Sequence, residues 1–274
     1  MTRSILITGC SSGIGLDAAR GLRDAGWRVF ASCRAEADCA ARRAEGFDAP
    51  RLDYADADSI DAALSEVLDA TGGTLDALFN NGAFACPGAV EDLPTDALRA
   101  VFEANVFGWH HLTRAAIVPM RRQGRGRIVQ CSSVLGFVPM PWRAAYVASK
   151  HALEGLTDTL RLEMRGTGID VISIQPGPIA TRIRANSIPH FERWIDWRAS
   201  PRRAQYEATL LRRLYEGAPD RFQLPASAVT RRLVEALETP RPRDRYRVTT
   251  PTRLAALGRR VLPGRMLHAL LARG

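Results

Sequence analysis

The stretch Tyr146-Val147-Ala148-Ser149-Lys150 sets a phenol and an ammonium four residues apart. On a helix that spacing puts both on one face, a turn from each other. A fixed positive charge beside a phenol favours phenolate, so a tyrosine that ordinarily titrates near ~10 becomes a usable proton shuttle closer to neutral pH. Lysine is otherwise missing from the chain. Of its 38 Lys and Arg residues, Lys150 is the single Lys and the other 37 are Arg. Charge alone would be met by arginine. A role restricted to lysine calls for a compact ammonium with three rotatable donors rather than a planar guanidinium.

Several elements must position that pair. A strand-like segment, Ser4-Ile5-Leu6-Ile7-Thr8, runs into Gly9-Cys10-Ser11-Ser12-Gly13-Ile14-Gly15, followed by a helical pattern through Leu16, Ala19 and Leu22 to Gly26. Strand, glycine-rich turn and helix make a phosphate cradle, because glycine lets the backbone approach a pyrophosphate and the helix N-terminus offers free N–H donors. The spacing is G-x-x-x-G-x-G rather than the commoner G-x-G-x-x-G. A second strand over 28–32 ends in Cys33-Arg34. An acid there would bind a ribose 2′-hydroxyl, whereas arginine accommodates a 2′-phosphate. Arg34 therefore predicts NADP(H) in preference to NAD(H). A short third strand ends at Leu52-Asp53, where Asp53 could accept from an adenine amine.

The alternation continues. A helix is expected over 56–70, a strand over 75–79 running into Asn80-Asn81-Gly82-Ala83, and one long helix over 95–122 containing Asn105. A strand over 127–131 ends in Ser132-Ser133; the Tyr146 helix and a strand over 170–174 follow, then Gln175-Pro176-Gly177-Pro178. Strands alternating with helices of this length predict an α/β fold, a doubly wound, Rossmann-like parallel sheet with its sites at the C-terminal strand ends. The chain reads as one domain over 1–274, with a cofactor-binding and catalytic core at 1–181. Residues 182–274 form a substrate loop and a basic, helical C-terminal extension, with a last strand at 246–248.

Composition narrows the class. At 274 residues the chain can bury a large single core. Its five cysteines, Cys10, Cys33, Cys39, Cys86 and Cys131, include no CxxC pair, so neither a disulfide framework nor a zinc site is indicated, and no metal is expected. No apolar run approaches the ~20 residues that span a bilayer, and the first strand leaves no room for a signal peptide. A reduced, cytoplasmic protein is expected. Charge is uneven: 1–181 carries 18 basic and 21 acidic residues, 182–274 carries 20 and 8, and the total is +9. A basic tail suits anionic partners or solvated helix faces.

The glycine-rich turn, Asn80-Asn81, Asn105, Ser133, Y-x-x-x-K and Pro176-Gly177, in that order, resemble the short-chain dehydrogenase/reductase family, closely over 1–181 and in outline beyond. The overall pattern is similar to its hydroxysteroid and retinol dehydrogenase-like branch. The resemblance implies an oxidoreductase that moves a hydride between nicotinamide and a carbonyl or alcohol. It makes Tyr146 the general acid/base and has Lys150 hold the nicotinamide ribose and lower the tyrosine pKa. Ser133 would hydrogen-bond the substrate oxygen, with Ser132 on the other strand face, and Asn105 would help fix a water in a proton relay. Thr181 would hold the nicotinamide carboxamide. Gly9, Ser11, Ser12, Gly13, Ile14, Gly15, Asn80, Pro176, Gly177 and Ile179 join the cofactor contacts. One departure stands out: the family reads N-N-A-G, and Ala83 in place of that glycine predicts a shifted loop.

Substrate choice is expected from the least patterned parts. Phe137, Met140 and Trp142 precede the catalytic helix, and Phe191 and Trp194, with Trp197 beyond, follow Thr181. An apolar, aromatic pocket built from them would take a hydrophobic ketone, aldehyde or secondary alcohol. A homodimer or homotetramer is expected. Nucleic acid is an unlikely partner, since no reading module is present. Over 252–273, leucines alternate with arginines and Pro263-Gly264 splits the stretch into two short helices. Such pieces can lie weakly on anionic lipid, cap a core or form an oligomer contact. Two rival readings are an NADP-binding regulator without turnover and a membrane-peripheral, lipid-modifying reductase.

Overall fold

The strands form because their residues are apolar on both faces. All four residues of β1 (Ser4–Ile7) and of β3 (Ala77–Asn80) are buried. Burial is also nearly continuous along β2 (Arg28–Ala31), β4 (Gly126–Cys131) and β5 (Ile169–Gln175). Strands buried on both faces belong in a parallel sheet covered by helices on either side. The computed structural model describes residues 2–217, 220 and 222–271. Its sheet runs β2-β1-β3-β4-β5-β6, every pairing parallel, with β6 (Arg245–Arg247) at one edge.

Helices α1 (Gly13–Asp24) and α2 (Glu36–Ala44) flank β2, α3 (Ala57–Thr71) precedes β3, and α6 (Ala144–Glu163) joins β4 to β5. The expected third strand is not a strand. Residues 48–52 meet β2 and the residue pair after it through the isolated bridges Phe30↔Asp48 and Cys33↔Arg51, without a continuous ladder. Pro50, between them, has no N–H to give to a ladder. The expected long helix is likewise divided, into α4 (Thr95–Phe102), a π-turn over Glu103–Phe107 and α5 (Gly108–Arg122).

Beyond β5 lie α7 (Ile183–Trp194) and the short α8 (Arg203–Gln205), which runs on as π-turns over Tyr206–Leu210 and Arg212–Glu216. Helix α9 (Ser227–Glu238) packs on α1, where Gly21 lies against Thr230. The tail forms α10 (Thr250–Val261) and α11 (Gly264–Leu271), parted at Pro263 as expected; Arg273 lies outside the described residues.

The sheet core is continuous from Ile5 to Val248, and a second, smaller core lies beside it. That second core gathers Val101, Ala145, Phe191, Ile195, Tyr206 and Leu210. Tyr206 anchors it. Its hydroxyl donates to Asp92 Oδ2 (2.8 Å) and accepts from Ala89 N (2.8 Å), while its ring meets Trp142 (4.7 Å) and Phe191 (6.2 Å). Phe191, 0% exposed, is thus core and does not line an open pocket. Phe191→Ala should cost roughly 3–5 kcal/mol of stability in urea denaturation, the usual range for emptying a buried aromatic site. A change near zero would put its side chain against open space.

Candidate active site

Strand order reverses between β1 and β3, and in open α/β sheets the ligand crevice lies at such a point. Thr8, just after β1, gathers the loops there. Its Oγ1 accepts from Asn81 N (2.8 Å) and Gly82 N (3.1 Å), and its carbonyl accepts from Asn81 Nδ2 (3.0 Å). This draws the loop after β3 onto the glycine-rich turn. A Cβ on Gly9 would come 2.6 Å from Gly82 Cα, so two backbones touch where side chains would collide. The glycine this contact needs is therefore Gly9; a Cβ on Gly82 would meet its nearest atoms at 3.3–3.4 Å, and Ala83, packed against the main core, leaves the contact intact.

The turn itself fits a phosphate. Ser12 makes no side-chain cap, and the first turn of α1 holds no acid, so its N–H donors are not masked by a carboxylate. Gly13, at φ +58°, lies against Thr181, whose Cγ2 would be 3.2 Å from an added Cβ. From below, Arg42 Nη1 donates to Cys10 O (3.1 Å) and Ser11 O (3.4 Å), pinning the turn's carbonyls away from the crevice. Arg34 is exposed and has no ion pair or hydrogen bond among the described residues. Partial burial, then the charges of Arg34 and Arg193, lower the pKa of His190 on α7. Asp53 Oδ1 accepts from Ala55 N (3.0 Å).

Lys150 is 1% exposed, and its Nζ makes a single hydrogen bond, to Cys131 O (2.9 Å). The ammonium lies 4.1 Å from the Trp109 ring centre and 5.6 Å from that of Tyr146. Two of its donors have no partner among the described residues. They suit a pair of ribose hydroxyls. Burial pushes the Lys150 pKa down to about 8, against smaller upward pulls from Cys131 and Glu154. Tyr146 departs from expectation. Desolvation of its phenol raises the pKa above the ordinary tyrosine value, only the Ser133 hydrogen bond pulls it down, and Lys150 is not among the causes. A lysine itself half-discharged near pH 8 is a weak source of such stabilisation. The phenol is therefore protonated at neutral pH.

Ser133 stands beside Tyr146, and its Oγ also accepts from Leu135 N (3.1 Å). Ser132 is 3% exposed, turned inward, and its Oγ is unpartnered. Asn105 falls inside the π-turn, a distortion often found at functional sites. Its Nδ2 donates to Phe84 O (2.9 Å) and Ser149 Oγ (3.2 Å), and its Oδ1 accepts from Phe84 N (3.1 Å). Both amide hydrogens are thus committed to fastening the loop after β3 to α6. Asn80 corrects an expectation: its side chain is wholly buried, accepting from Tyr54 (2.6 Å) and donating to Thr113 (3.0 Å), so only its backbone can face the crevice.

The expected aromatic pocket divides. Trp142, Trp194 and Trp197 are partly buried against the second core. Trp142, at φ +64°, is the only non-glycine with positive φ among the described residues, and its carbonyl accepts from Gly88 N (3.0 Å). Phe137 instead borders a separate cleft of about 490 Å³ with His151, Gly155 and four arginines, and Met140 is partly exposed. The sequence reading missed Trp109, whose Nε1 donates to Gly82 O (2.7 Å), and His190, stacked on Phe84 at 4.1 Å. Trp109 could have been found: it follows Asn105 by four residues.

The depressed Lys150 pKa carries a sign. Between about pH 8 and its ordinary 10.5, the unfolded chain binds a proton that the folded chain lacks. Stability contributed at this position rises with pH across that window, and the burial cost is fully present below it. Lys150→Met should exceed wild type by roughly 1–3 kcal/mol in urea denaturation at pH 7, and the gap should shrink through that window and close only above about pH 10.5. A gap unchanged with pH would show that the ammonium is not desolvated.

Residues 3–191 match the family described as short chain dehydrogenase. The oxidoreductase YbbO of Escherichia coli K12, itself uncharacterised, is 37% identical over 271 residues, covering 99% of this chain and 94% of its own. The NADPH-dependent 3-dehydrocapnine reductase of Ornithobacterium rhinotracheale is 29% identical, over 98% of this chain and 95% of its own. A short chain dehydrogenase/reductase from Burkholderia phymatum, solved with NAD, superposes at a TM-score of 0.78 with 27% identity, over 93% and 92% of the two chains. With the crevice, the glycine-rich turn and the Tyr146–Lys150 pair in one place, the chain belongs to the short-chain dehydrogenase family and is an NAD(P)-dependent oxidoreductase.

Proposed function

We propose that the protein is an NADP(H)-dependent reductase of hydrophobic ketones or aldehydes, able to run in reverse on secondary alcohols, with Tyr146 as its acid. The observation that carries this reading is the buried Lys150 ammonium, two donors free, beside a protonated phenol. A bound nicotinamide cofactor would supply the hydride. Tyr146 would give its proton to the carbonyl oxygen, and Ser133, already beside the phenol, would hold that oxygen. Lys150 would turn its free donors to the ribose hydroxyls. The α1 N-terminus would take the pyrophosphate and Thr181 the carboxamide, alongside Pro176, Gly177 and Ile179. A protonated tyrosine is the form that reduction consumes. Trp142, Trp194 and Met140 support an apolar substrate. Exposed Phe107, Val118, Leu156 and Leu162, on the π-turn, α5 and α6, support a homodimer or homotetramer.

Lys150→Arg tests the centre. A guanidinium is wider than the ammonium held 2.9 Å from Cys131 O and 4.1 Å from the Trp109 ring centre, and its fork does not suit two hydroxyls. The variant should fold yet lose at least about a hundredfold in kcat, the range of a positioned acid or base, with a displaced pH–rate profile beside that of Tyr146→Phe. Near-wild-type turnover with an unchanged profile would reduce Lys150 to a charge.

Arg34 tests the cofactor. As an unpaired guanidinium after β2, it should account for roughly 1.5–3 kcal/mol of NADPH binding, so Arg34→Ala should cut the preference over NADH about ten- to a hundredfold. Equal wild-type affinity for both cofactors would overturn the assignment.

A further inference from the structure

We infer that α10 and α11 dock this protein on an anionic membrane surface. Leu254, Leu257 and Val261 on α10 are 63%, 57% and 63% exposed, and Met266 and Leu270 on α11 are 56% and 57% exposed. At 3.6 residues per turn, Leu257, Val261 and Leu254 fall within about 60° of one another, a single apolar stripe, with Arg253 and Arg260 along one side. Helix α11 folds back on α10, where a Cβ added to Gly258 would lie 3.6 Å from both Leu262 and Leu267. The outer leucines stay uncovered. Neither helix could cross a bilayer: among the described residues no helix is long and apolar enough.

Charge decides what covers this face. Residues 245–274 hold seven arginines and no acid. Arg247, Arg253, Arg260 and Arg265 have no ion pair or side-chain hydrogen bond among the described residues, whereas Arg3 and Arg20 pair with Glu238 and Glu45. The cleft that Phe137 borders runs along α10 and adds Arg259 to the same basic flank, while Arg245 in it is paired with Asp158 and Glu154. A second copy is a poor occupant. A two-fold contact pairs the patch with itself, and residues 245–274 hold no acid to answer its arginines. An anionic bilayer takes both features at once, leucines at the acyl boundary and arginines at the phosphates. The tail is also tied to the site. Thr249, which caps α10, lies so close to Gly177 that an added Cβ there would be 2.1 Å from its Oγ1.

The surface is independent of the proposed reaction, and its test needs no turnover. The full chain is sedimented with vesicles of phosphatidylcholine, with and without phosphatidylglycerol, at low and high salt. Wild type should pellet with the anionic vesicles at low salt and be released by salt. Leu257→Glu/Val261→Glu and Arg253→Ser/Arg260→Ser, exposed positions outside the crevice, should each bind at least about tenfold more weakly at an unchanged thermal midpoint. Wild type left in the supernatant at low salt overturns the inference. So does a leucine variant that loses subunits by light scattering while wild-type vesicle binding is absent, which would assign the face to another copy.

Discussion

Holding one ammonium out of water constrains most of what surrounds the crevice. Lys150 has a single hydrogen bond and the rings of Trp109 and Tyr146 to replace its hydration. A charge-assisted bond is worth about 1.5–3 kcal/mol and a buried cation–π contact about 2, against a desolvation penalty of several. The shortfall appears as the depressed pKa. What remains must be rigid, because a loose cage would admit water. Trp109 is fixed through its indole N–H to Gly82 O, and Gly82 lies on Gly9. The lysine's cage and the glycine-rich turn are thereby one packed unit.

A buried polar network supports that unit. Tyr54 donates to Asn80 and lies 2.8 Å from Thr8, Asn80 donates to Thr113, and Gln130 also donates to Thr113 (3.2 Å). Its members come from β1, β3, β4, α5 and the segment after β2, so the network fixes how those elements meet. Burial raises the pKa of Tyr54 well above its ordinary value and keeps it a donor. Such a network is stabilising when satisfied and costly when not. Gln130 Oε1 is the one member's atom left without a partner.

Sheet, glycine-rich turn and the Tyr146–Lys150 pair were legible because each depends on local spacing: apolar runs, glycines before a helix, and an i, i+4 pair. What failed depended on neighbours distant in sequence. Phe191 reads as an aromatic in a loop until Tyr206 and Val101 close over it. Asn80 reads as a motif residue until Tyr54 and Thr113 take its amide. The tyrosine pKa was judged from one neighbour, whereas desolvation, which no spacing reveals, is the larger influence. Residues 48–52 carried strand-like pattern, and Pro50 removed the ladder.

The π-turn over Glu103–Phe107 places one more residue in that stretch than an α-helical path would need. Helices α4 and α5 therefore share an axis but not a phase: α5 is rotated by about a quarter turn relative to the face α4 would have projected. Asn105 sits where the phase changes, and Trp109 is read in the new one. Deleting a single residue here would leave a helix of better regularity and turn Trp109 away from the ammonium. A small defect in periodicity is what lets one continuous rod face the second core at one end and the lysine at the other.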